Sequence, residues 1–200
     1  MLASIADVIN CYPRITNCSY LELGISENRT FNLVRAGRKV GVDMQPIQVR
    51  FPPPPAYNMT TDEFFLQIPE SMMFDVVFID AGHSVDNVIK DFNNTIKHLT
   101  PRGIILIHDL IPPTEEFTAS WFCGDGYKFL YQVLVEQKQI AISADCEYGL
   151  TLFPKSQAIE FWEENKGVSF TVFTEELKHF HSLHAIVSLD QLGTIISTLR

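Results

Sequence analysis

The chain has 200 residues, of which 46% are hydrophobic, and a formal net charge of -9. This length and composition suit one α/β domain with a sizeable core, and the mean hydropathy of +0.07 argues against disorder. The acidic balance argues against a nucleic-acid partner, because phosphate binding needs clustered Lys and Arg. No apolar run approaches the roughly 20 residues that cross a bilayer, so we expect no membrane partner.

The N-terminus and the cysteines indicate the cellular compartment. Residues 1–7 lack the basic region and the long apolar core of a signal peptide, which predicts a cytoplasmic protein. Cys11, Cys18, Cys123 and Cys146 are far apart and show no CxxC spacing. We expect them to be reduced structural thiols, not zinc ligands.

Short apolar runs alternate with segments of helical periodicity, which is typical of a parallel sheet covered by helices. In chain order we predict the strand Ser19–Leu23, the helix Arg29–Arg35, the strand Lys39–Asp43, the helix Thr61–Gln67, the strand Asp75–Asp80, the helix Val85–His98, the strand Gly103–His108 and the helix Tyr127–Gln137. Two further strands, Ile140–Ala144 and Tyr148–Phe153, form a hairpin that closes one edge. The expected fold is a Rossmann-like, doubly wound, mostly parallel seven-stranded sheet with an antiparallel edge hairpin and helices on both faces.

Two segments outside this alternation have their own predictions. The run 51–55 contains four prolines, which remove backbone donors, so we expect a stiff polyproline-like link. Residues 1–154 are predicted to form the main domain, and residues 155–200 a mainly helical extension that acts as a lid, a cap on the sheet or an oligomer contact. A homodimer is therefore left open. His179, His181 and His184 are expected on the surface of this tail.

Polar residues fall where the predicted strands end. Glu22 and Gly24 close the first strand, Asp43 closes the second, and Asp80 and the pair His108-Asp109 close two later strands. Ligands of open α/β sheets bind outside the carboxyl ends of the strands. Asp43, 21 residues after Glu22, is well placed to accept two hydrogen bonds from a ribose diol.

The loop after the first strand favours one nucleotide cofactor over another. A dinucleotide site needs G-x-G-x-x-G so that a helix N-terminus approaches the pyrophosphate. This loop has one glycine, Gly24, preceded by the acid Glu22. A carboxylate there would repel pyrophosphate but suits a cofactor that carries an ammonium and a sulfonium, so the loop favours S-adenosyl-L-methionine over NAD.

Six motifs in order resemble one family. Residues 21–24 (LELG) and 40–43 (VGVD) resemble the first motif and the ribose-acid strand of class I methyltransferases. Residues 74–83 (FDVVFIDAGH) and 99–109 (LTPRGIILIHD) are similar to the "FIDGxH … L-x-P-G-G … HD" pattern of the methyltransferase family 24-like subgroup, related to macrocin O-methyltransferases and cephalosporin hydroxylase-like proteins. Residues 59–65, 112–115 and 124–128 resemble further segments of that subgroup. The resemblance covers roughly residues 19–153, and Asn28 stands where class I enzymes usually have a second glycine.

The resemblance implies a site and a reaction. The cofactor-binding residues it implies are Glu22, Leu23, Gly24, Asn28, Thr30, Asp43, Met44, Asp62, Asp80 and Ala81, with Asp62 near the adenine. His83 is the expected general base for a substrate hydroxyl, with Asp80 beside it. Asp80, His108 and Asp109 are at positions that resemble the metal triad of catechol-type O-methyltransferases. His108 replaces a carboxylate there, so a divalent metal is left open and a hard Mg²⁺ site is disfavoured.

The predicted function is S-adenosylmethionine-dependent O-methylation of a hydroxyl on a small molecule, such as a sugar or a glycan-linked metabolite. Two alternatives stand beside it: a non-catalytic protein that binds S-adenosylmethionine, and an NAD-type oxidoreductase on the same kind of sheet. Two residue roles also have alternatives. Glu22 is either a cofactor contact or a cap of the following helix, and the pair Trp121-Phe122 is a lid, a dimer contact or a sugar platform.

Overall fold

The computed structural model describes residues 1–26, 29–44, 56–135, 137–155, 167–179 and 184–199. The helices are α1 (Ile5–Ile9), α2 (Arg29–Leu33), α3 (Thr61–Gln67), α4 (Val85–Lys97), α5 (Tyr127–Val135), α6 (Phe170–Leu177) and α7 (Leu189–Thr198). The strands are β1 (Ser19–Leu23), β2 (Arg38–Asp43), β3 (Ala56–Asn58), β4 (Phe74–Ile79), β5 (Leu99–His108), β6 (Ala141–Ala144), β7 (Leu150–Pro154) and β8 (His184–Val187). Each of the six named strands and four named helices that the sequence predicts is present, with shifts at some ends.

The strands form one sheet in the order β3-β2-β1-β4-β5-β7-β6-β8. β3, β2, β1, β4 and β5 pair in parallel, and β7 is antiparallel to both β5 and β6. The predicted fold class is therefore confirmed, including the antiparallel hairpin.

The sheet has eight strands instead of the predicted seven, because β8 pairs in parallel with β6. The hairpin consequently does not close the edge of the sheet. The extension predicted for residues 155–200 supplies this edge strand as well as α6 and α7. The surface position predicted for His184 is wrong, since its ring is buried and its Nε2 lies 2.8 Å from Ser143 Oγ.

Helices cover both faces of the sheet and form two hydrophobic cores. α3, α4, α5 and α6 pack on one face, and α1, α2 and α7 on the other. The apolar face of α4 packs on the sheet, with Phe92 fully buried and Ile96 partly buried. Burial of such side chains removes apolar surface from water and is the main favourable contribution to folding.

Other predictions meet the structure in different ways. The proline run 51–55 lies outside the described residues, as does His181. The four cysteines are free thiols. No helix in the described part of the chain is long and apolar enough to cross a membrane.

The order of strands places the functional end of the sheet. β1 lies between β2 and β4. The sheet therefore extends from β1 through β2 and β3 on one side, and through β4 and β5 on the other. This change of direction in the strand order opens a crevice beyond the carboxyl ends of the strands, where open α/β sheets bind ligands.

Candidate functional site

A cavity of about 1540 Å³ opens at this crevice, between the ends of β1, β2, β4 and β5. Single-ligand sites in proteins usually measure roughly 300–1,000 Å³. The cavity therefore has room for a cofactor and a second small molecule. Of the predicted site residues, those in its wall are Gly24, Asp43, Met44, Asp62, Asp80, Ala81, His83, His108 and Asp109.

Gly24 lies where the chain leaves β1 and passes against the end of β4. Its φ is +83°, and a Cβ there would lie 2.0 Å from the carbonyl oxygen of Asp80. The Gly24 N–H donates to Val42 O at 2.8 Å, and the Asp80 N–H donates to Leu23 O at 2.8 Å. A side chain is excluded by both the backbone conformation and the space, so this glycine allows the three strand ends to meet.

Asp43 holds the turn between β1 and α2. Its Oδ2 accepts hydrogen bonds from the backbone N–H groups of Ile25, at 2.9 Å, and Ser26, at 2.8 Å. In dinucleotide-binding folds the corresponding turn directs its N–H groups at a pyrophosphate. Here the two N–H groups point at a carboxylate of the protein, which would also repel a pyrophosphate.

Glu22 lies beneath the cavity and is absent from its wall. The carboxyl group is 2% exposed and accepts hydrogen bonds from the Tyr20 hydroxyl and the Phe31 backbone N–H. Burial raises the pKa of Glu22 to about 8, against the opposing effect of these hydrogen bonds. The sequence predicts a charged acid that faces the cofactor, whereas this group is neutral at pH 7 and binds the first turn of α2. The position of Glu22 thus fits the alternative role, that of a cap of the following helix.

The raised pKa of Glu22 predicts a pH dependence of stability. The folded chain keeps a proton from pH 4.5, the ordinary value, to about 8, whereas the unfolded chain releases it. The free energy of unfolding therefore falls as the pH rises through this window. Glu22→Gln keeps an acceptor without the ionisation, so we expect it to gain on the order of 2–4 kcal/mol relative to wild type between pH 5 and pH 8.

Urea denaturation at both pH values measures this gain. Asp91→Asn is the matched comparison, because burial raises the pKa of Asp91 to about 7. The wild-type carboxyl at this position also costs stability as the pH rises, but over a narrower pH range, so this variant should show a smaller gain of the same sign. A Glu22→Gln variant whose stability changes with pH as the wild type does would contradict the prediction.

The remaining residues predicted to contact the cofactor have mixed positions. Met44 is 71% exposed in the cavity wall, and Asp62 lies beside Lys90, with 3.6 Å between Oδ2 and Nζ. Leu23 is fully buried under the cavity, and Thr30 lies in α2, outside the wall. Asn28 lies outside the described residues.

Asp91 is a cavity residue that sequence reasoning misses. It lies on α4, is 2% exposed and contributes to the cavity wall near Thr61 and Asp62. Burial raises the pKa of Asp91, and the charge of Asp62 adds to the rise. A signal existed, because Asp91 directly precedes Phe92 and adjoins the apolar stripe of α4, where a charged residue is unusual.

Two histidines and two aspartates form a cluster at the ends of β4 and β5. His83 Nε2 lies 3.2 Å from Asp109 Oδ2 and 3.8 Å from Asp80 Oδ1. His108 Nδ1 lies 3.1 Å from Asp109 Oδ1 and 3.4 Å from Asp80 Oδ1. The predicted strand ends contribute Asp80, His108 and Asp109, and the predicted base His83 follows Asp80 in the next loop. The structure brings all four side chains together.

Mutual attraction sets the charges in this cluster. Burial alone would raise the pKa of Asp80, but hydrogen bonds and charges from His108 and His83 hold it well below its usual range. Burial alone would lower the pKa of His108, but Asp109 and Asp80 outweigh it and raise the value to about 10. Asp80 also raises the pKa of His83, against the effect of burial. At neutral pH His108 is therefore an imidazolium beside a carboxylate.

The cluster offers a metal site whose ligands differ from the predicted triad. Ligand atoms of Asp80, His83 and Asp109 lie within 4.8 Å of one another. His108 Nδ1 lies 3.4 Å from Asp80 and 3.1 Å from Asp109, and its Nε2 is buried without a hydrogen-bond partner among the described residues. The predicted triad of Asp80, His108 and Asp109 therefore stays a prediction. His83 Nδ1 contacts the carbonyl oxygen of Phe122, the support that metal-binding histidines usually have.

The loop that precedes α5 contacts His83 and fixes its position. Gly124 has a φ of +60°, and a Cβ there would lie 2.4 Å from the carbonyl oxygen of His83. Together with the Phe122 carbonyl, this close contact sets both the position and the tautomer of the ring: Nδ1 donates its proton, and Nε2 faces Asp80 and Asp109. The sequence singles out residues 121–128 without indicating this contact.

Comparison with protein families gives a match over the part of the chain that carries most of this site. Residues 33–110 match the family model described as a methyltransferase domain, family 24. The matched segment contains Asp43, Asp80, His83 and Asp109. No curated protein sequence matches it.

Solved structures share the fold of the methyltransferase domain. A putative caffeoyl-CoA O-methyltransferase from Staphylococcus aureus superposes with a TM-score of 0.57 at 12% identity, over 78% of this chain and 85% of that one. The O-methyltransferase from Bacillus cereus, solved with SAH, gives a TM-score of 0.55 at 14% identity, over 78% and 83%. The chain spans 48% of the length of the MycE methyltransferase of the mycinamycin pathway, which gives a TM-score of 0.48 at 15% identity over 73% of this chain. The first two likenesses show that the chain has the Rossmann-like fold of these methyltransferases.

Proposed function

We propose that the protein is an S-adenosylmethionine-dependent O-methyltransferase that acts on a hydroxyl of a small molecule. The observation that carries the choice of cofactor is the bond from the Ile25 and Ser26 N–H groups to Asp43. A turn whose amides are held by a carboxylate disfavours a pyrophosphate, and thereby the NAD alternative. It suits a cofactor that brings positive charge to the strand ends.

The residues proposed to hold the cofactor follow from the cavity wall. Asp43 would accept hydrogen bonds from the ribose, Met44 would cover apolar surface of the adenosine, and Asp62 would lie toward the adenine end. Gly24 and Ala81 line the cavity with no side chain and a single methyl group, respectively, and so leave room for the cofactor. Glu22 supports the site indirectly, through α2.

The chain's own residues supply a proton acceptor for the acceptor hydroxyl. Bound S-adenosylmethionine would supply a methyl group carried on a sulfonium, whose sulfur keeps the electron pair of the methyl–sulfur bond when that bond breaks. The acceptor oxygen forms the new C–O bond, and its proton passes to Nε2 of His83. Asp80 and Asp109 stabilise the imidazolium that results, because both carboxylates lie on the Nε2 side.

A divalent ion held by Asp80, His83 and Asp109 would instead lower the pKa of a bound hydroxyl. The two roles of His83 exclude each other, since Nε2 has one lone pair. In the proposed function His83 has the metal-free role, in which its Nε2 faces Asp80 and Asp109. The same cluster argues against the non-catalytic alternative, because a protein that only binds the cofactor has no need of a supported base in the cavity.

A transfer assay tests the proposal. Purified protein with S-adenosylmethionine and a panel of hydroxylated small molecules, including methyl glycosides and phenols, should release S-adenosylhomocysteine in an acceptor-dependent way. Cofactor binding without transfer to any member would favour the non-catalytic alternative. The cytoplasmic location, the absence of nucleic-acid and membrane partners, and a homodimer stay predictions.

A further inference from the structure

Four aromatic rings lead from the cavity to the protein surface. The ring centroids of Tyr148 and Phe117 are 5.2 Å apart, those of Phe117 and Phe122 are 4.9 Å apart, and those of Phe122 and Trp121 are 6.5 Å apart. Tyr148 lines the cavity, whereas Trp121 is 79% exposed. These four residues, the aromatic ladder, show the ring spacing of mutually attractive aromatic pairs.

The inner end of the ladder is held in place at an energetic cost. Tyr148 has a φ of +59°, a conformation that bulky residues rarely adopt. Its carbonyl oxygen accepts a hydrogen bond from the Ile111 N–H at 2.9 Å, which ties the turn before β7 to the loop after β5. The ring lies 6.4 Å from that of His108. Strain of this kind persists where surrounding structure demands one orientation, and it is common at functional sites.

The charges near the ladder indicate the charge of its occupant. At the inner end the ring of Tyr148 lies beside that of His108, which contacts the carboxylates of Asp80 and Asp109. Arg29 is the only lysine or arginine among the described residues that line the cavity, and it lies on α2. Lys128, in the same loop region as the ladder, pairs with Asp125 at 3.0 Å. At the strand ends an anionic acceptor, such as a phosphorylated compound, would therefore meet two carboxylates, Asp80 and Asp109, against the single imidazolium of His108.

The proposed base also restricts the acceptor. A phenolic hydroxyl ionises near pH 10, as that of tyrosine does, whereas a hydroxyl as weakly acidic as water, with a pKa of about 15.7, is far harder for an imidazole to deprotonate. The carboxylates beside His83 would add repulsion to a full alkoxide. The side chains present thus suit an acceptor whose hydroxyl is on an aromatic ring.

We propose that the acceptor is an uncharged phenolic compound whose ring packs against Tyr148 at the inner end of the aromatic ladder, with its hydroxyl toward His83. This inference rests on the proposed function and replaces the sugar acceptor predicted from the sequence. In the transfer the methyl–sulfur bond breaks, the methyl–oxygen bond forms at the phenol, and the phenolic proton passes to His83 Nε2. The products are an aryl methyl ether and S-adenosylhomocysteine.

Calorimetric titration with three probes tests the inference: catechol, cis-1,2-cyclohexanediol, which has the same adjacent hydroxyls without a π system, and methyl glucoside. Each is titrated with and without S-adenosylhomocysteine. We expect catechol to bind about ten-fold more tightly than either non-aromatic probe. Tyr148→Leu should remove most of this preference, while Tyr148→Phe, which keeps the ring, should retain it. Leu66→Ala, at an exposed apolar residue on α3, is the control outside the cavity and should change nothing.

Fluorescence locates the bound ring. The chain has two tryptophans, so a Trp162→Phe variant leaves Trp121 as the single reporter at the outer end of the ladder. Because the proposed ring packs on Tyr148, with Phe117 and Phe122 between it and Trp121, catechol should not quench this reporter saturably. Saturable quenching would place the ring at the outer end and overturn the inference. Equal binding of catechol and cyclohexanediol, or tighter binding of methyl glucoside, would overturn the inference. A second copy of the chain that covers the surface around Trp121 would also overturn the inference. It would be seen as a dimer in sedimentation, which Trp121→Ala dissociates and catechol leaves unchanged. Because the probes are titrated separately from S-adenosylmethionine, failure here and failure of the proposed function give different results.

Discussion

Asp43→Ala is expected to weaken S-adenosylmethionine binding by about 100-fold or more. The substitution removes the proposed ribose acceptor and leaves the Ile25 and Ser26 N–H groups without the carboxylate that holds them. Hydrogen bonds to a charged group contribute about 1.5–3 kcal/mol each, so the loss of the two hydrogen bonds from the ribose should lower the affinity by about 100-fold or more. Isothermal titration calorimetry of folded wild-type and variant protein measures the difference.

A matched control separates loss of the site from loss of stability. Asp75 makes the same kind of contact at the opposite end of the sheet, where its carboxylate accepts from the Ser19 N–H at 2.9 Å and from the Thr100 hydroxyl at 3.0 Å. Asp75→Ala should lower the melting temperature while the dissociation constant for the cofactor stays within about two-fold of wild type. If both variants bind like wild type, Asp43 has no part in cofactor binding.

His83→Gln is expected to lower kcat by about 100- to 10,000-fold, the range typical for loss of a general base. The glutamine amide can still donate to the Phe122 carbonyl, but it cannot take up a proton from the acceptor. The affinity for S-adenosylmethionine should be unchanged, since His83 lies at the acceptor end of the cavity. Single-turnover transfer and calorimetry together separate the two effects.

His98→Gln is the matched control for His83. Its Nδ1 lies 2.9 Å from the Met72 carbonyl oxygen. His98 directly precedes β5, at the opposite end of the strands from the cavity. This variant should lose stability and keep kcat. Transfer by wild type should also survive a strong chelator. If the chelator abolishes transfer and Mg²⁺ or Mn²⁺ restores it, His83 is a metal ligand and the base must be sought elsewhere.

Much of the fold was predictable, because it depends on patterns within one element. β1 was predicted with both ends correct, and β4 was displaced by one residue, since a strand buried on both faces is a continuous apolar run. α3 was predicted correctly from Thr61 to Gln67, and its capping box of Thr60 and Glu63 is formed in the structure.

β8 was not predictable, because its evidence lies in a partner strand. The four residues from His184 to Val187 show no alternation in the sequence, and only their pairing with β6 makes them a strand. Histidines in a polar tail were therefore assigned to the surface, although the hydrogen bond to Ser143 buries His184.

The site was predictable in its location but less so in its charges. Strand ends place Asp43, Asp80 and Asp109 around one crevice, whatever the loops between them do. The protonation of Glu22 depends on how tightly Tyr20 and α2 enclose it, and no local pattern contains that information. In the same way, the orientation of the His83 ring depends on the Phe122 carbonyl, which lies 39 residues away in the chain.

Calorimetric titration of the wild-type protein with S-adenosylmethionine tests the central claim most directly. We expect saturable binding of one molecule per chain in the micromolar range, with no detectable heat from NADH at the same concentrations. A folded protein that gives no heat with S-adenosylmethionine, or that binds NADH instead, would contradict it.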